Sequence, residues 1–587
     1  MRFLGQILAT VIGLFVFCMI AFFGLMIIGA VFGSQEDTVH VKSHSIVKLD
    51  LSDVSLDYAG RVNFTDFDYF KAEHNGVFDI VKAIEYAKTD DDIEGISIVN
   101  PNTELGLAQV KAIHDALVDF KKSGKFVYAY ADVLGQKEYY LCAPAQSIYL
   151  NPVGEMEFKG IGAELMFFKD LQDKSGVQME VIRHGKYKSA VEPFLDNKMS
   201  EANREQMTVL LNSLWKAMVE DVAADRKLSV AQLDQIANTL GARTPALAQS
   251  AKLIDAIGYH DQYEDQLRRK AKLKADDKIN YVSIVDYAQK VATTHKNSDA
   301  DQAIAVIYAQ GEIMDGEGDV NIIGDGAMRR AIQEARDDDD VKAVVLRVDS
   351  PGGNALTSEL IWRELELTRK KKPLIVSMGN YAASGGYYIS CNADKIFAEK
   401  GTITGSIGVF GVFPNFAGLS NRMGIHTEQV KTHAQAAEYS PFLPVDPAFR
   451  AYAQEGVERV YTTFANRVAA GRHMTFAQVD AIGQGRVWSG ADALRIGLVD
   501  AIGGLQDAVN EAAKRAKIKA YDVRNYPEYD KNFSDLFKSM GLPFAQSTAD
   551  VVKAELGPEA QQLMTQYQLG LRRKGIQARL PFVLRWE

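Results

Sequence analysis

Ala343-Val344-Val345-Leu346-Arg347-Val348-Asp349-Ser350-Pro351-Gly352-Gly353 is the stretch on which the reading of this chain turns. A valine-rich apolar run ends abruptly in Pro-Gly-Gly, the pattern of a buried strand entering a tight turn. Around it, short β-branched runs at 304–308, 374–378, 395–398 and 407–410 alternate with helical stretches at 328–336 and 358–369, whose apolar residues recur at three- and four-residue steps. Pro373 marks the entry to one of these runs. Strands alternating with helices predict parallel βαβ units, so the region reads as an α/β domain.

The same pattern occurs earlier in the chain at an offset of 248. Asp90-Asp91-Asp92-Ile93 matches Asp338-Asp339-Asp340-Val341, Tyr139-Tyr140-Leu141 matches Tyr387-Tyr388-Ile389, and Ile148-Tyr149 matches Ile396-Phe397. A duplication explains this register better than chance does. The 587 residues therefore divide into an anchor at 1–40, an N-terminal half at 41–295, a C-terminal half at 296–525 and a tail at 526–587. The polar segment 275–301 marks the junction between the halves. Within the tail, 549–570 can form an amphipathic helix and 578–586 is apolar, but no motif assigns it a role.

Hydrophobic residues make up 47% of the chain and charged residues 24%, which excludes a disordered or fibrous protein. A net charge of −10 without a long basic run argues against nucleic acid as a partner. From Ile7 to Phe32 no charge occurs, a length sufficient for one transmembrane helix at 1.5 Å per residue. Bulky Phe32 stands where a signal-peptide cleavage site needs a small residue, so the segment reads as an uncleaved single-pass anchor. Arg2 precedes it and Glu36 and Asp37 follow, which predicts a cytoplasmic N-terminus and an exported body. Cys18, Cys142 and Cys391 form no CxxC pair; Cys142 and Cys391 read as small buried hydrophobes.

Two glycine-rich turns follow strands, where α/β folds place ligands. Gly352-Gly353 can bring backbone amides close to a substrate, as an oxyanion hole requires. Ala382-Ala383-Ser384-Gly385-Gly386 resembles a nucleophile elbow, with Ser384 exposed at a helix start and the Gly385 amide aimed at the same spot. A serine hydroxyl needs a base, either histidine or neutral lysine. His184 and His433 are the nearest histidines in sequence, and neither has an evident carboxylate to orient it. Lys188, within Lys186-Tyr187-Lys188-Ser189-Ala190-Val191-Glu192-Pro193-Phe194, could be made basic near neutral pH if desolvated. The duplicate of Ser384 is Gln136, and that of Lys188 is His433 or Ala434. Each half lacks what the other keeps, which predicts one site built from both.

Asp349-Ser350-Pro351-Gly352-Gly353, Tyr381-Ala382-Ala383-Ser384-Gly385-Gly386-Tyr387, Thr404-Gly405-Ser406-Ile407-Gly408-Val409 and the Lys188 motif together resemble the signal peptide peptidase A family in its long, duplicated form. That resemblance implies two tandem ClpP/crotonase-like domains and a Ser–Lys protease needing no metal or other cofactor. It implies Ser384 as nucleophile, Lys188 as general base, Ser406 as the lysine's hydrogen-bond partner, and the Gly353 and Gly385 amides as the oxyanion hole. It further implies apolar signal peptides as substrates, a homotetramer, and attachment to the bacterial inner membrane with the catalytic body on the periplasmic side. Two other readings share the fold: a crotonase-type acyl-CoA enzyme and a noncatalytic peptide-binding scaffold on the membrane.

Overall fold

Ala303–Gln310 is buried along its whole length, as a parallel strand covered on both faces must be. It lies inside the C-terminal sheet of the computed structural model, which describes residues 11–20, 22–23, 39–54, 56–64, 69–72, 74–274, 276–294, 300–531 and 577–579. Across that sheet the strands Ala501–Ile502, Lys395–Ala398, Leu374–Ala383, Val341–Ser350, Ala303–Gln310 and Asp522–Tyr526 pair in parallel. The N-terminal sheet repeats this order with Ala256–Ile257, Ser147–Met156, Phe126–Leu134, Ile93–Val99, Ser45–Leu49 and Asn280–Ser283, again all parallel. Each half thus has its own α/β core, and the six strands of the N-terminal sheet each have a counterpart in the C-terminal one, which adds Ile403–Gly405 and Val487–Ser489 beside Leu374–Ala383. The long helices Glu201–Arg226 and Pro447–Arg472 correspond as well.

Several details depart from the sequence reading. The strand expected around 407–410 is two strands, Ile403–Gly405 and Val409–Asn415, because Ser406 takes a left-handed φ of 50° and turns the chain. Leu374–Ala383 runs on to the residue before Ser384, so the turn is made at the serine itself. The polar segment 275–301 contains the sheet-edge strand Asn280–Ser283 and the helix Ile284–Thr294, which buries Ile284, Tyr287 and Ala288. Of the apolar run 7–32, residues 11–20, 22 and 23 are described, helical and exposed; the remainder lies outside the described residues. No described helix is long and apolar enough to cross a membrane. The helix expected at 549–570 also lies outside the described residues. Cys142 and Cys391 are buried free thiols, and burial raises the pKa of both.

Two of the contacts that join the halves bear directly on where the chain runs near Ser406. Asp57 Oδ2 accepts a hydrogen bond from Arg347 Nε at 2.7 Å, with both side chains buried. Gln178–His184 of the N-terminal half pairs antiparallel with Val409–Asn415 of the C-terminal half, from His184 opposite Val409 to Gln178 opposite Asn415. This second contact belongs to a third sheet, ordered Ile322–Gly324, Glu312–Met314, Gly352–Asn354, Gln577–Arg579, Val409–Asn415 and Gln178–His184. The chain just beyond His184 therefore enters the C-terminal half beside Ser406.

Candidate active site

Ser384 follows its strand directly and starts the helix Gly385–Ser390, in a backbone conformation of φ 55° and ψ −114°. A non-glycine residue held there is strained, and the strain persists only where surrounding bonds enforce it. Its N–H donates to the Gly405 carbonyl at 2.8 Å, and its own carbonyl accepts from the Tyr388 N–H at 2.8 Å. The small neighbours are required by space: a Cβ on Gly386 would stand 2.7 Å from the Ser350 carbonyl oxygen.

Lys188 arrives from the other half. After the strand Gln178–His184, the Tyr187 N–H donates to the Gln484 carbonyl at 3.0 Å. Gln206, on the helix Glu201–Arg226, donates to the Tyr187 carbonyl at 3.1 Å and to Ser189 Oγ at 2.9 Å, while its Oε1 accepts from the Val487 N–H. Glu192 is tied down by Ser200 and Asn203. These contacts carry Lys188 Nζ to 2.8 Å from Ser384 Oγ, 3.0 Å from Ser406 Oγ and 3.3 Å from the Ser406 carbonyl oxygen.

Lys188, Ser384 and Ser406 are each fully buried, so Ser384 is not exposed as the elbow pattern predicts. Burial alone drives the Lys188 pKa well below its ordinary 10.5. The Phe410 ring stands 5.8 Å from Nζ, and no carboxylate among the described residues pairs with it. A buried ammonium without an anion is costly, so the neutral amine is favoured.

The remaining candidates are placed as follows. An ideal Cβ on Gly385 would lie 3.1 Å from the Gly353 amide nitrogen, so the two glycine turns converge beside Ser384. His184 Nδ1 bonds Glu458 Oε2 at 2.7 Å and its ring stacks on Tyr461. The carboxylate that sequence could not supply is therefore present, but the Ser384 hydroxyl bonds Lys188 and not His184. His433 is exposed and contacts Thr432. Among the described residues no group of three His, Cys, Asp or Glu side chains could hold a metal ion.

Three structural contributions are not legible in the sequence. Gln206 looks like any polar helix residue until the halves dock. Gly485 lies so close to Lys188 that a Cβ would come within 2.6 Å of its backbone nitrogen. A third, Asp349, accepts from the Tyr381 N–H at 2.9 Å and from Asn380 Nδ2 at 2.8 Å, tying the Gly352-Gly353 loop to the strand that leads into Ser384. Asn380 Oδ1 in turn accepts from the Ala108 N–H of the other half at 3.0 Å. Burial, aided by the nearby charge of Asp57, pushes Asp349 up to about 7.

Comparison with known proteins identifies the family. The family model described as Peptidase family S49 matches twice, at residues 119–274 and 366–519. A protein named Protease 4 from Haemophilus influenzae is 38% identical over 74% of this chain and 72% of its own. One named Serine protease SPPA, chloroplastic, from Arabidopsis thaliana is 31% identical over 74% of this chain and 64% of its own. A solved ClpP1 mutant from Listeria monocytogenes aligns over 37% of this chain and 99% of its own, at 14% identity and a TM-score of 0.25. With the family model matched once in each half and a relative this similar along most of both chains, the chain belongs to peptidase family S49 and is a serine protease.

Proposed function

We propose that Ser384 and Lys188 form a Ser–Lys dyad that cleaves peptides through an acyl-enzyme, as in a signal peptide peptidase built from two ClpP/crotonase-like halves. The observation that carries this reading is the 2.8 Å approach of Lys188 Nζ to Ser384 Oγ in a site where both are fully buried. As a neutral amine, Lys188 turns its lone pair toward the Ser384 hydroxyl and donates its N–H groups to Ser406 Oγ and the Ser406 carbonyl. It takes the hydroxyl proton as Oγ attacks the peptide carbonyl. The Gly353 and Gly385 amides stabilise the developing oxyanion. The resulting ammonium passes its proton to the leaving amine, and water then repeats the cycle on the ester.

The proposed substrates are cleaved signal peptides, which are extended and apolar and suit a groove offering strand-like pairing. The proposal includes residues 7–32 as a single transmembrane anchor in a bacterial inner membrane, with the N-terminus cytoplasmic and the body periplasmic. Arg2 before the run and Glu36 and Asp37 after it support this orientation. It also includes a homotetramer, which light scattering in detergent would test.

The decisive experiment is hydrolysis of an apolar reporter peptide by the full-length protein in detergent. Ser384→Ala and Lys188→Ala should each lose about 10³-fold or more in kcat. In the wild type, kcat/KM should rise with pH along a limb lying well below 10.5, because only neutral Lys188 accepts the proton. Retained cleavage in both variants would overturn the dyad, and thioester turnover surviving in both would favour the acyl-CoA reading.

A further inference from the structure

The strand that leads into Ser384 does not pair evenly with its neighbour. Along the ladder between Val341–Ser350 and Leu374–Ala383, Val348 stands opposite Met378 and Ser350 opposite Ala382. Asp349 alone therefore faces Gly379, Asn380 and Tyr381, a bulge that ends three residues before the serine. Its carboxylate fills this gap in the ladder by accepting from the Tyr381 N–H and from Asn380 Nδ2. Its own carbonyl accepts from the Gly311 N–H at 2.9 Å. The Gly353 amide lies four residues further along the same loop.

Asn380 reaches in the opposite direction. Its Oδ1 accepts from the Ala108 N–H at 3.0 Å and the Gln109 N–H at 3.4 Å, at the start of the helix Leu107–Phe120 of the N-terminal half. Gln109 Nε2 donates to Asp57 Oδ1 at 3.2 Å, and Asp57 Oδ2 accepts from Arg347, on the strand that carries Asp349. The bonds thus close a circuit through both halves behind the Gly353 loop.

The N-terminal half has the same staple with its polarity reversed. Asp132 is the counterpart of Asn380 at the offset of 248, and Asn100 lies one residue from the counterpart of Asp349. Asn100 Nδ2 donates to Asp132 Oδ2 at 2.9 Å, and Asn100 Oδ1 accepts from the Asp132 N–H at 2.7 Å. Asp132 is also bonded by Tyr130 and Asn151, both of its own half. Stapling two strands is common to both halves, whereas the bond onward to the other half belongs to Asn380.

We propose that Asp349, acting through Asn380, is a positioning residue that holds the Gly353 amide in register with Ser384 and makes that register depend on docking of the N-terminal half. The inference rests on the Ser–Lys reading above. Docking that brings Lys188 to Ser384 then sets the oxyanion hole as well, so base and hole are assembled together.

The test uses reporter hydrolysis by the full-length protein in detergent, each variant being assayed below its own unfolding transition. Asp349→Asn turns an NH2 group toward the Asn380 NH2 or the Tyr381 N–H and loses one accepted bond. Asn380→Asp sets two carboxylates face to face, and Asn380→Ala removes the bridge without opposing like groups. Each should lose about tenfold or more in kcat with KM within about twofold of wild type. Each should also bind a peptide aldehyde more weakly by a similar factor, because the aldehyde's adduct with Ser384 places its oxygen against the Gly353 and Gly385 amides. The exchange Asp349→Asn/Asn380→Asp restores every bond: the new amide accepts from the Tyr381 N–H and donates to the new carboxylate, which accepts at the helix start, where negative charge is favoured. It should recover kcat to within about threefold of wild type.

A kcat within about threefold of wild type in both Asp349→Asn and Asn380→Ala would overturn the proposal. So would a loss confined to KM, an unchanged aldehyde affinity, or an exchange variant as impaired as its single parents. Failure of wild type to cut any peptide would instead overturn the underlying dyad reading.

Discussion

Replacing Gly485 with alanine should disable the site without touching either reactive atom. An ideal Cβ there would stand 2.6 Å from the Lys188 nitrogen and Cβ and 2.7 Å from its Cα. Carbon atoms in contact prefer about 3.5–4.0 Å, so the Lys188 backbone or the Gly485 turn must shift by about 1 Å. Neither neighbour is a flexible side-chain end that could swing aside. A misplacement of about 1 Å can cost about 10²-fold in rate, equivalent to about 2.7 kcal/mol of activation barrier. The left-handed φ of 85° at Gly485 adds a separate cost of about 1–2 kcal/mol, which falls on stability.

Gly424→Ala is the matched control. It has a φ of 75° and nothing within 4 Å of the added Cβ, so it bears the backbone cost alone. Reporter hydrolysis and thermal unfolding, measured on wild type and both variants, separate the two effects. Gly485→Ala should lose about 10²-fold in kcat/KM, while Gly424→Ala should lose stability and keep its activity. A Gly485→Ala protein within about threefold of wild-type kcat/KM, or a loss equalled by Gly424→Ala, would refute the claim that this packing positions Lys188.

Other consequences follow from the buried charges. Lys188 is neutral when folded but protonated when unfolded between its lowered pKa and 10.5, so folding releases a proton and stability rises with pH in that window by up to about 1.4 kcal/mol per unit. Lys188→Met should accordingly unfold at higher denaturant than wild type at pH 7, with the advantage shrinking as pH approaches 10.5. Asp349, raised to about 7, contributes the opposite slope: its stabilisation is complete below the ordinary 3.8 and lost as pH rises through about 7. Asp349→Asn should flatten the denaturation profile between those limits. Asp57→Ala deprives the buried Arg347 of its hydrogen-bonded carboxylate and should cost about 3–5 kcal/mol in urea unfolding, with partial recovery in Asp57→Ala/Arg347→Met.

The local pattern of the chain was sufficient for the α/β class, the duplication and the candidate residues. Apolar runs such as 343–348 and turns such as Pro351-Gly352-Gly353 report near-neighbour sterics and burial, which are written into consecutive residues. The offset of 248 found in the sequence reappears as two sheets that share six parallel strands in the same order. Strand limits were less legible, since the break at Ser406 depends on a backbone angle enforced by its hydrogen bond to the Arg486 carbonyl. The approach of Lys188 to Ser384 spans 196 residues, and it exists because Gln178–His184 pairs with Val409–Asn415 while Gln206 and Gly485 secure the loop between.

The same limit hid His184's carboxylate and the tail's place beside Gly353. Sequence alone determined which chemical groups the protein carries and that each half retains a different one. Only tertiary structure decided their meeting, because strand pairing and burial between distant segments set the distance from Lys188 to Ser384 and the low dielectric that disfavours the ammonium.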